Sequence, residues 1–291
     1  MDDTWWPPLP ALRPGLRVVR RDDGRLQVGF RVDERTTLPD LSAAHAFLAD
    51  LAEGRRPDLA SPGVRRWAHA LSDLGLIVDR DQVTAMMGQG IPRPTVAATL
   101  AQSGPEAAER LAGRSTARIG LDVPESWRAD VVALLDEAGL TVAGRSEPVA
   151  AHLVVTPGGE LPRPWLDDWM RTGLPHLVVT NLAGRVRLGP FVAPGITACV
   201  RCLDAHTSDR DAGHGLVVEQ HGPVDGEPCD PLLMRIALSC AVRDLASYVE
   251  GDLPATWSAT VAVEPDLRME RRAWARHPRC GCAWGEQLAA G

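Results

Sequence analysis

Residues 15–38 alternate short apolar runs with turn formers: Leu16-Arg17-Val18-Val19, then Asp22-Asp23-Gly24, then Leu26-Gln27-Val28-Gly29-Phe30, and later Thr36-Thr37-Leu38. Such alternation predicts a small antiparallel meander. A helix is predicted at about 42–53, with Phe47, Leu48 and Leu51 on one face and Gly54 at its stop. Ser61 reads as the N-cap of a second helix with Pro62 in its first turn. Val64, Trp67, Leu71 and Leu74 form its stripe, Gly75 ends it, and Leu76-Ile77-Val78 adds a strand. Strands followed by such helices make residues 1–83 a winged-helix-like module, with a small helical cap as the alternative. Residues 84–112, with Gly88, Gly90, Pro92 and Pro94, read as a linker with one short helix.

From about residue 116 the rhythm changes. Ala117–Leu121 reads as a strand and 126–138 as a helix carrying Trp127, Val131, Leu134 and Ala138, with Gly139 as the stop. Leu153-Val154-Val155 and Leu177-Val178-Val179 are unbroken apolar runs, the mark of strands buried on both faces, with Trp165, Trp169 and Met170 at helical spacing between them. This is a doubly wound α/β pattern over 113–291. A long helix at 231–249 has one polar line, Arg235, Ser239, Arg243 and Ser247, which predicts burial on most sides, in the core or at the interface of a homodimer.

Composition narrows the class. The 291 residues are 45% hydrophobic, ample for a core, and every basic residue is an arginine. A net charge of −7 disfavours nucleic acid as a partner. The opening MDDTWWPPLP lacks the basic and apolar stretches of a signal peptide, and Arg235, Arg243 and Asp244 interrupt the longest apolar window. No membrane partner is expected, and the expected location is the cytoplasm, where clustered cysteines point to metal rather than disulfides.

Cys199-Val200-Arg201-Cys202 and Cys280-Gly281-Cys282 supply two close pairs of thiols. Cys199, Cys202, Cys280 and Cys282 together match a tetrahedral zinc site, and four thiolates leave no open position, so the zinc is expected to be structural. Cys229 and Cys240 read as buried free thiols. The first strand-to-helix turn, Gly120-Leu121-Asp122-Val123-Pro124-Glu125, lacks the glycine pattern of a phosphate loop, and Asp122 and Glu125 repel an anion. No nucleotide is expected. Gly158 and Gly159 read as turn residues. His214, Glu219 and His221 fall in a stretch, 213–223, that reads as a loop with surface histidines. No triad or carboxylate pair stands out.

The stretches Gly189–Gly195, Thr197–Asp204, His206, Ser208–Asp211 and His277–Cys282 resemble the ThiF-like domains of bacterial peptide-maturation clusters. With the N-terminal module, which is similar to a PqqD-like recognition element, the chain resembles the leader-peptide-binding partners of YcaO cyclodehydratases, which make azoline and azole rings in ribosomal peptides. The resemblance implies that the leader of a precursor peptide adds as a strand to the edge at about Val32, Arg35, Thr36, Thr37 and Leu38. Arg65, Arg66 and His69 of the helix 63–74 would stand beside it. ATP would be used by the separate YcaO protein. Two rivals differ in class: a ThiF/MoeB-like adenylyltransferase acting on a peptide or carrier-protein terminus, and a winged-helix DNA-binding regulator, which the acidic charge disfavours.

Overall fold

After a short first strand, β1 (Pro10–Leu12), the expected meander follows as β2 (Val18–Arg20), β3 (Arg25–Val28) and β4 (Thr36–Pro39), an antiparallel sheet in the order β2-β3-β4. In this computed structural model the described residues are 5–88, 90–156, 158–182, 184–222 and 228–283, and the chain divides into two units, Met1–Ala112 and Gly113–Gly291. The ends of the expected module and domain, and Pro223, lie outside the described residues.

In the first unit the sheet is followed by α1 (Ser42–Glu53), α2 (Pro62–Asp73), β5 (Ile77–Asp79), α3 (Arg80–Met87), α4 (Arg93–Ser103) and the start of α5 (Ala107–Thr116). β5 pairs antiparallel with β1. Strand alternation turns Leu26, Val28 and Leu38 inward against Phe47 and Leu51 of α1 and Ala68 and Leu71 of α2. Ser61 stands at the N-cap of α2, but its hydroxyl makes no capping bond. The stretch 84–112 differs from the expected linker. It is largely helical, and Met86, Ile91, Val96, Leu100, Ala107 and Leu111 form an apolar cluster of their own. Pro94 sits in the first turn of α4, where a missing N–H costs nothing, so the prolines start a helix instead of breaking one.

The second unit contains β6 (Arg118–Asp122), α6 (Glu125–Ala138), β7 (Thr141–Val142), β8 (Ala151–Thr156), α7 (Arg163–Thr172), β9 (His176–Leu182), β10 (Arg185–Val192), α8 (Val200–Ser208), α9 (His214–Gln220), α10 (Pro231–Val249), β11 (Ala259–Val263) and β12 (Met269–Ala273). Its seven-stranded sheet has the order β12-β11-β10-β9-β8-β6-β7. β7, β6, β8 and β9 are parallel, and β10, β11 and β12 continue the sheet antiparallel, so the doubly wound parallel pattern holds for one half only. Ile119, Leu153, Val179 and Leu188 face α6 and α10. Val154 and Val178 face α7 and α8 on the other side.

Gly54 (φ +71°) and Gly139 (φ +75°) take the left-handed conformation that ends α1 and α6 where expected. α10 keeps Arg235, Ser239 and Arg243 exposed and buries Met234, Leu238, Ala241 and Leu245 in its own unit. Its buried Asp244 accepts from Ala255 N (2.8 Å) and Thr256 N (2.9 Å), fixing the turn before β11. Among the described residues no helix is long and apolar enough to cross a membrane.

Candidate functional site

The two cysteine pairs meet. Cys199 is the N-cap residue of α8, and Cys202, one turn on, donates its N–H to the Cys199 carbonyl at 2.9 Å. Cys280 and Cys282 return to them from the turn after β12. Sγ–Sγ separations are 3.7 Å (Cys199–Cys202), 3.6 Å (Cys199–Cys280) and 3.4 Å (Cys202–Cys282), and all four sulfurs lie within 4.8 Å of one another. A disulfide needs about 2.05 Å. A tetrahedral ion with bonds of about 2.3 Å to sulfur sets neighbouring sulfurs about 3.8 Å apart, so the group fits a metal ion and not a pair of disulfides.

The thiols are unequal. Cys202 accepts from the thiols of Cys199 and Cys280 and, at 3.3 Å, from His277 N–H, which hold it far below the ordinary thiol range. Its bonds to Cys202 and Cys280 drive Cys199 up, and burial pushes Cys282 up to about 12. Four thiolates can coexist here only around a cation. Beside them, Nδ1 of His277 accepts from Arg279 N at 3.1 Å, so Nε2 carries the proton and donates to Asp209 at 2.9 Å. His206 donates to the Ala275 carbonyl at 2.9 Å. His206, Asp209 and His277 are close enough to form a ligand group, but they spend these atoms tying the segment after β12 to α8.

Of the residues expected to bind peptide, Thr36, Thr37 and Leu38 lie in β4, whose only partner strand among the described residues is β3. Val32 (80% exposed) and Arg35 precede the strand. The direction of each peptide group is settled by its neighbours. Arg21 N bonds Arg25 O and Gly29 N bonds Arg17 O, which turns Arg25 and Gln27 toward β2, while Asp40 N bonds Gly24 O. Alternation along the ladder then directs Thr36 and Leu38 to β3, and Arg35 and Thr37 to the open edge. The Leu38 side chain belongs to the core (1% exposed). α2 packs beside β4 and carries Arg65, Arg66 and His69. Arg65 donates to the Leu59 carbonyl (3.3 Å), and Trp5 stacks on the His69 imidazole at 3.7 Å, covering one of its faces.

The β6–α6 turn is unlike a phosphate loop. A Cβ on Gly120 would stand 2.4 Å from His152 Nε2, so this glycine makes room for an imidazole from the neighbouring strand. His152 packs on Trp169 (4.9 Å between centroids), which meets His176 (5.3 Å). Pro124 is the N-cap of α6 and Glu125 its first residue, removing a donor and adding a negative charge where a phosphate would dock.

An ion network beyond the C-terminal ends of the parallel strands had no sequence signal. Arg163 binds Asp204 through both Nε and Nη2 (2.7 Å each) and Glu160 at 3.0 Å, and Arg187 binds Glu160 at 3.1 Å. Glu160 and Asp204 border two cavities, of 440 Å³ and 530 Å³. His214, expected as a surface residue, is half-buried at 3.4 Å from Asp204, and residues 214–220 form α9 rather than a loop. Cys229 and Cys240 are half-buried, not fully buried.

No protein-family model matches the chain, and a search of curated proteins returns no match. Solved structures do match. A heterocyclase in complex with substrate and cofactor superposes with a TM-score of 0.70 at 15% identity, over 95% of this chain. The heterocyclase TruD gives 0.69 at 16% identity over 94%. The chain spans only 39% and 42% of those two proteins. The microcin C7 biosynthetic enzyme MccB of E. coli, in complex with N-formylated MccA, gives 0.62 at 11% identity over 94% of this chain and 99% of its own; MccB has also been solved with ATP. The chain shares their fold. That removes one of the two rivals: over nearly its whole length this is not the fold of a winged-helix DNA-binding regulator.

Proposed function

We propose that the chain captures the leader of a ribosomal precursor peptide on the open edge of β4 and presents the rest of that peptide to a separate YcaO-type cyclodehydratase for azoline or azole formation. The observation that carries this reading is the β4 edge itself: Thr37 directs its N–H and carbonyl outward, beside a helix carrying two arginines. Strand addition takes affinity from backbone groups that no neighbouring strand engages and specificity from alternate side chains. The likeness to MccB, solved with N-formylated MccA, and to a heterocyclase solved with substrate supports a chain of this fold that holds a substrate to be modified. Holding the leader raises the local concentration of the core peptide at the partner's active site.

In this reading Cys199, Cys202, Cys280 and Cys282 hold a structural zinc ion, and the first unit is the PqqD-like recognition element. The same reading gives the chain no nucleotide of its own, which is supported by Pro124 and Glu125 at the start of α6, where they remove a donor and add a negative charge.

The test uses Thr37→Pro. Its lost N–H points away from β3, so the sheet keeps its bonds while the edge loses a donor. A displayed library of random dodecapeptides panned on the full chain should enrich binders that the variant no longer retains; equal retention by both proteins refutes strand addition. A second reading, a ThiF/MoeB-like adenylyltransferase, is favoured by the fold shared with MccB along its whole length. Peptide-dependent exchange of pyrophosphate into ATP by the isolated chain would establish that reading in place of ours.

A further inference from the structure

The arginines around the first sheet are not alike. Arg20 pairs with Asp40 (2.6 Å), Arg21 with Asp23 (3.1 Å) and Arg31 with Asp33 (3.2 Å). Arg25 and Arg35 take no carboxylate partner among the described residues. Arg17 shares that condition but precedes β2, at the opposite edge. Arg25 instead rests on the open edge: its Nε donates to Thr37 Oγ1 at 2.8 Å and its Nη2 to the Thr37 carbonyl at 3.2 Å.

Register shows what this placement means. Side chains alternate along strands, so Arg25 and Thr37 project from one face of the sheet, opposite the buried Leu26, Val28 and Leu38, and Arg35 stands exposed one residue before β4, two positions from Thr37. The edge that can pair is short. Pro39 has no N–H, and its carbonyl already accepts from Leu41 N at 2.8 Å, so the outward groups left for an added strand are those of Arg35 and Thr37. A segment docked there has one residue opposite Thr37, and paired residues put their side chains on the same face. That side chain arrives beside the Arg25 guanidinium, which rests on Thr37 without an anion, and within two positions of Arg35, which also has no carboxylate partner among the described residues. Its two neighbours point to the opposite face, the side on which Leu38 meets the helices.

We propose that Arg25 and Arg35 set the register of the bound segment, selecting an aspartate or glutamate opposite Thr37 with an apolar residue on either side. Arg25 is then a specificity residue: it leaves the Thr37 carbonyl to the incoming N–H and pairs with the incoming carboxylate, a charge-assisted contact that Lys would reproduce less well. The proposal rests on the strand-addition reading above and adds to it which peptides the edge accepts.

The library panned on the full chain provides the test, run on wild type, Arg25→Met/Arg35→Met, Arg25→Glu/Arg35→Glu and Thr37→Pro, each checked for an unchanged melting temperature. Wild type should enrich an acidic residue between two apolar ones, the methionine variant should lose that acidic preference, and the glutamate variant should replace it with Lys or Arg. A synthetic binder with its acid changed to Gln should bind wild type roughly fivefold more weakly, the scale of an exposed ion pair, and the methionine variant with no change. An acidic preference that is absent from wild type, or survives in the methionine variant while Thr37→Pro still abolishes capture, overturns the register proposal alone. Capture by Thr37→Pro equal to that of wild type, or no binder enriched by wild type, overturns strand addition and the proposal with it.

Discussion

Replacing Cys202 by serine removes a sulfur that touches both its own pair and the other, 3.7 Å from Cys199 and 3.4 Å from Cys282. An ion held by the four thiolates would close a loop of 80 residues between Cys202 and Cys282. Treated as a cross-link on the unfolded chain, a loop of that length contributes about 4.5 kcal/mol by the loop-entropy relation used for disulfides. A unit of this size loses about 2–4 °C of melting temperature per kcal/mol, so the variant should melt about 9–18 °C below wild type. His277, Arg279 and Asp209 still tie the segment to α8, which makes this an upper estimate. The assay is elemental analysis with thermal melting before and after dialysis against a chelator. Wild type should carry one zinc per chain and fall to the variant's melting temperature once stripped. Wild type that purifies without metal, or a Cys202→Ser protein that keeps one equivalent and melts within a degree of wild type, would refute the reasoning.

Two further predictions concern the ring cluster on the sheet. His176 is fully buried and burial depresses it from 6.5 to about 4, so between those pH values the unfolded chain binds a proton that the folded chain refuses. Its contribution is intact above pH 6.5 and lost as pH falls to 4, by about 3 kcal/mol; His176→Leu should flatten the stability curve over that window in urea titrations, and an unchanged slope counts against the assignment. Gly120→Ala drives a methyl into the His152 imidazole and should cost about 1–3 kcal/mol, a cost that nearly vanishes in a His152→Ala background. Equal costs in both backgrounds would show that the imidazole is not the obstacle.

Much of the fold was legible where the signal is local. The runs at Leu153-Val154-Val155 and Leu177-Val178-Val179 stand in β8 and β9, and Arg235, Ser239 and Arg243 of the polar line on α10 stay exposed while Ser247 is half-buried, because burial against a sheet or in a core imposes its period on the residues doing the packing. Prolines misled the reading of 84–112, since a proline opens a helix as readily as it ends one and the cluster around Val96 and Leu100 decides which. β10 and β12 went unread because Arg185 and Arg187 in the one and Glu270, Arg271 and Arg272 in the other deny them the unbroken apolar run that marks β8 and β9, and the short β11 between them went unread too.

The candidate sites divide the same way. Two close cysteine pairs announce a ligand set in the sequence alone, because the chemistry of a closed metal site needs those thiols and little else. Nothing local announces that Glu160, Arg163, Arg187 and Asp204 meet, for their contacts join residues as much as 41 positions apart. The same holds for β4. The sequence by itself marked Thr36-Thr37-Leu38 as a strand; only tertiary structure decided that Leu38 turns its side chain into the core and that the peptide groups of Thr37, and not those of its neighbours, face outward. Side-chain alternation belongs to the strand alone, whereas the direction of each peptide N–H depends on the partner strand's register, and that register is set by the sheet.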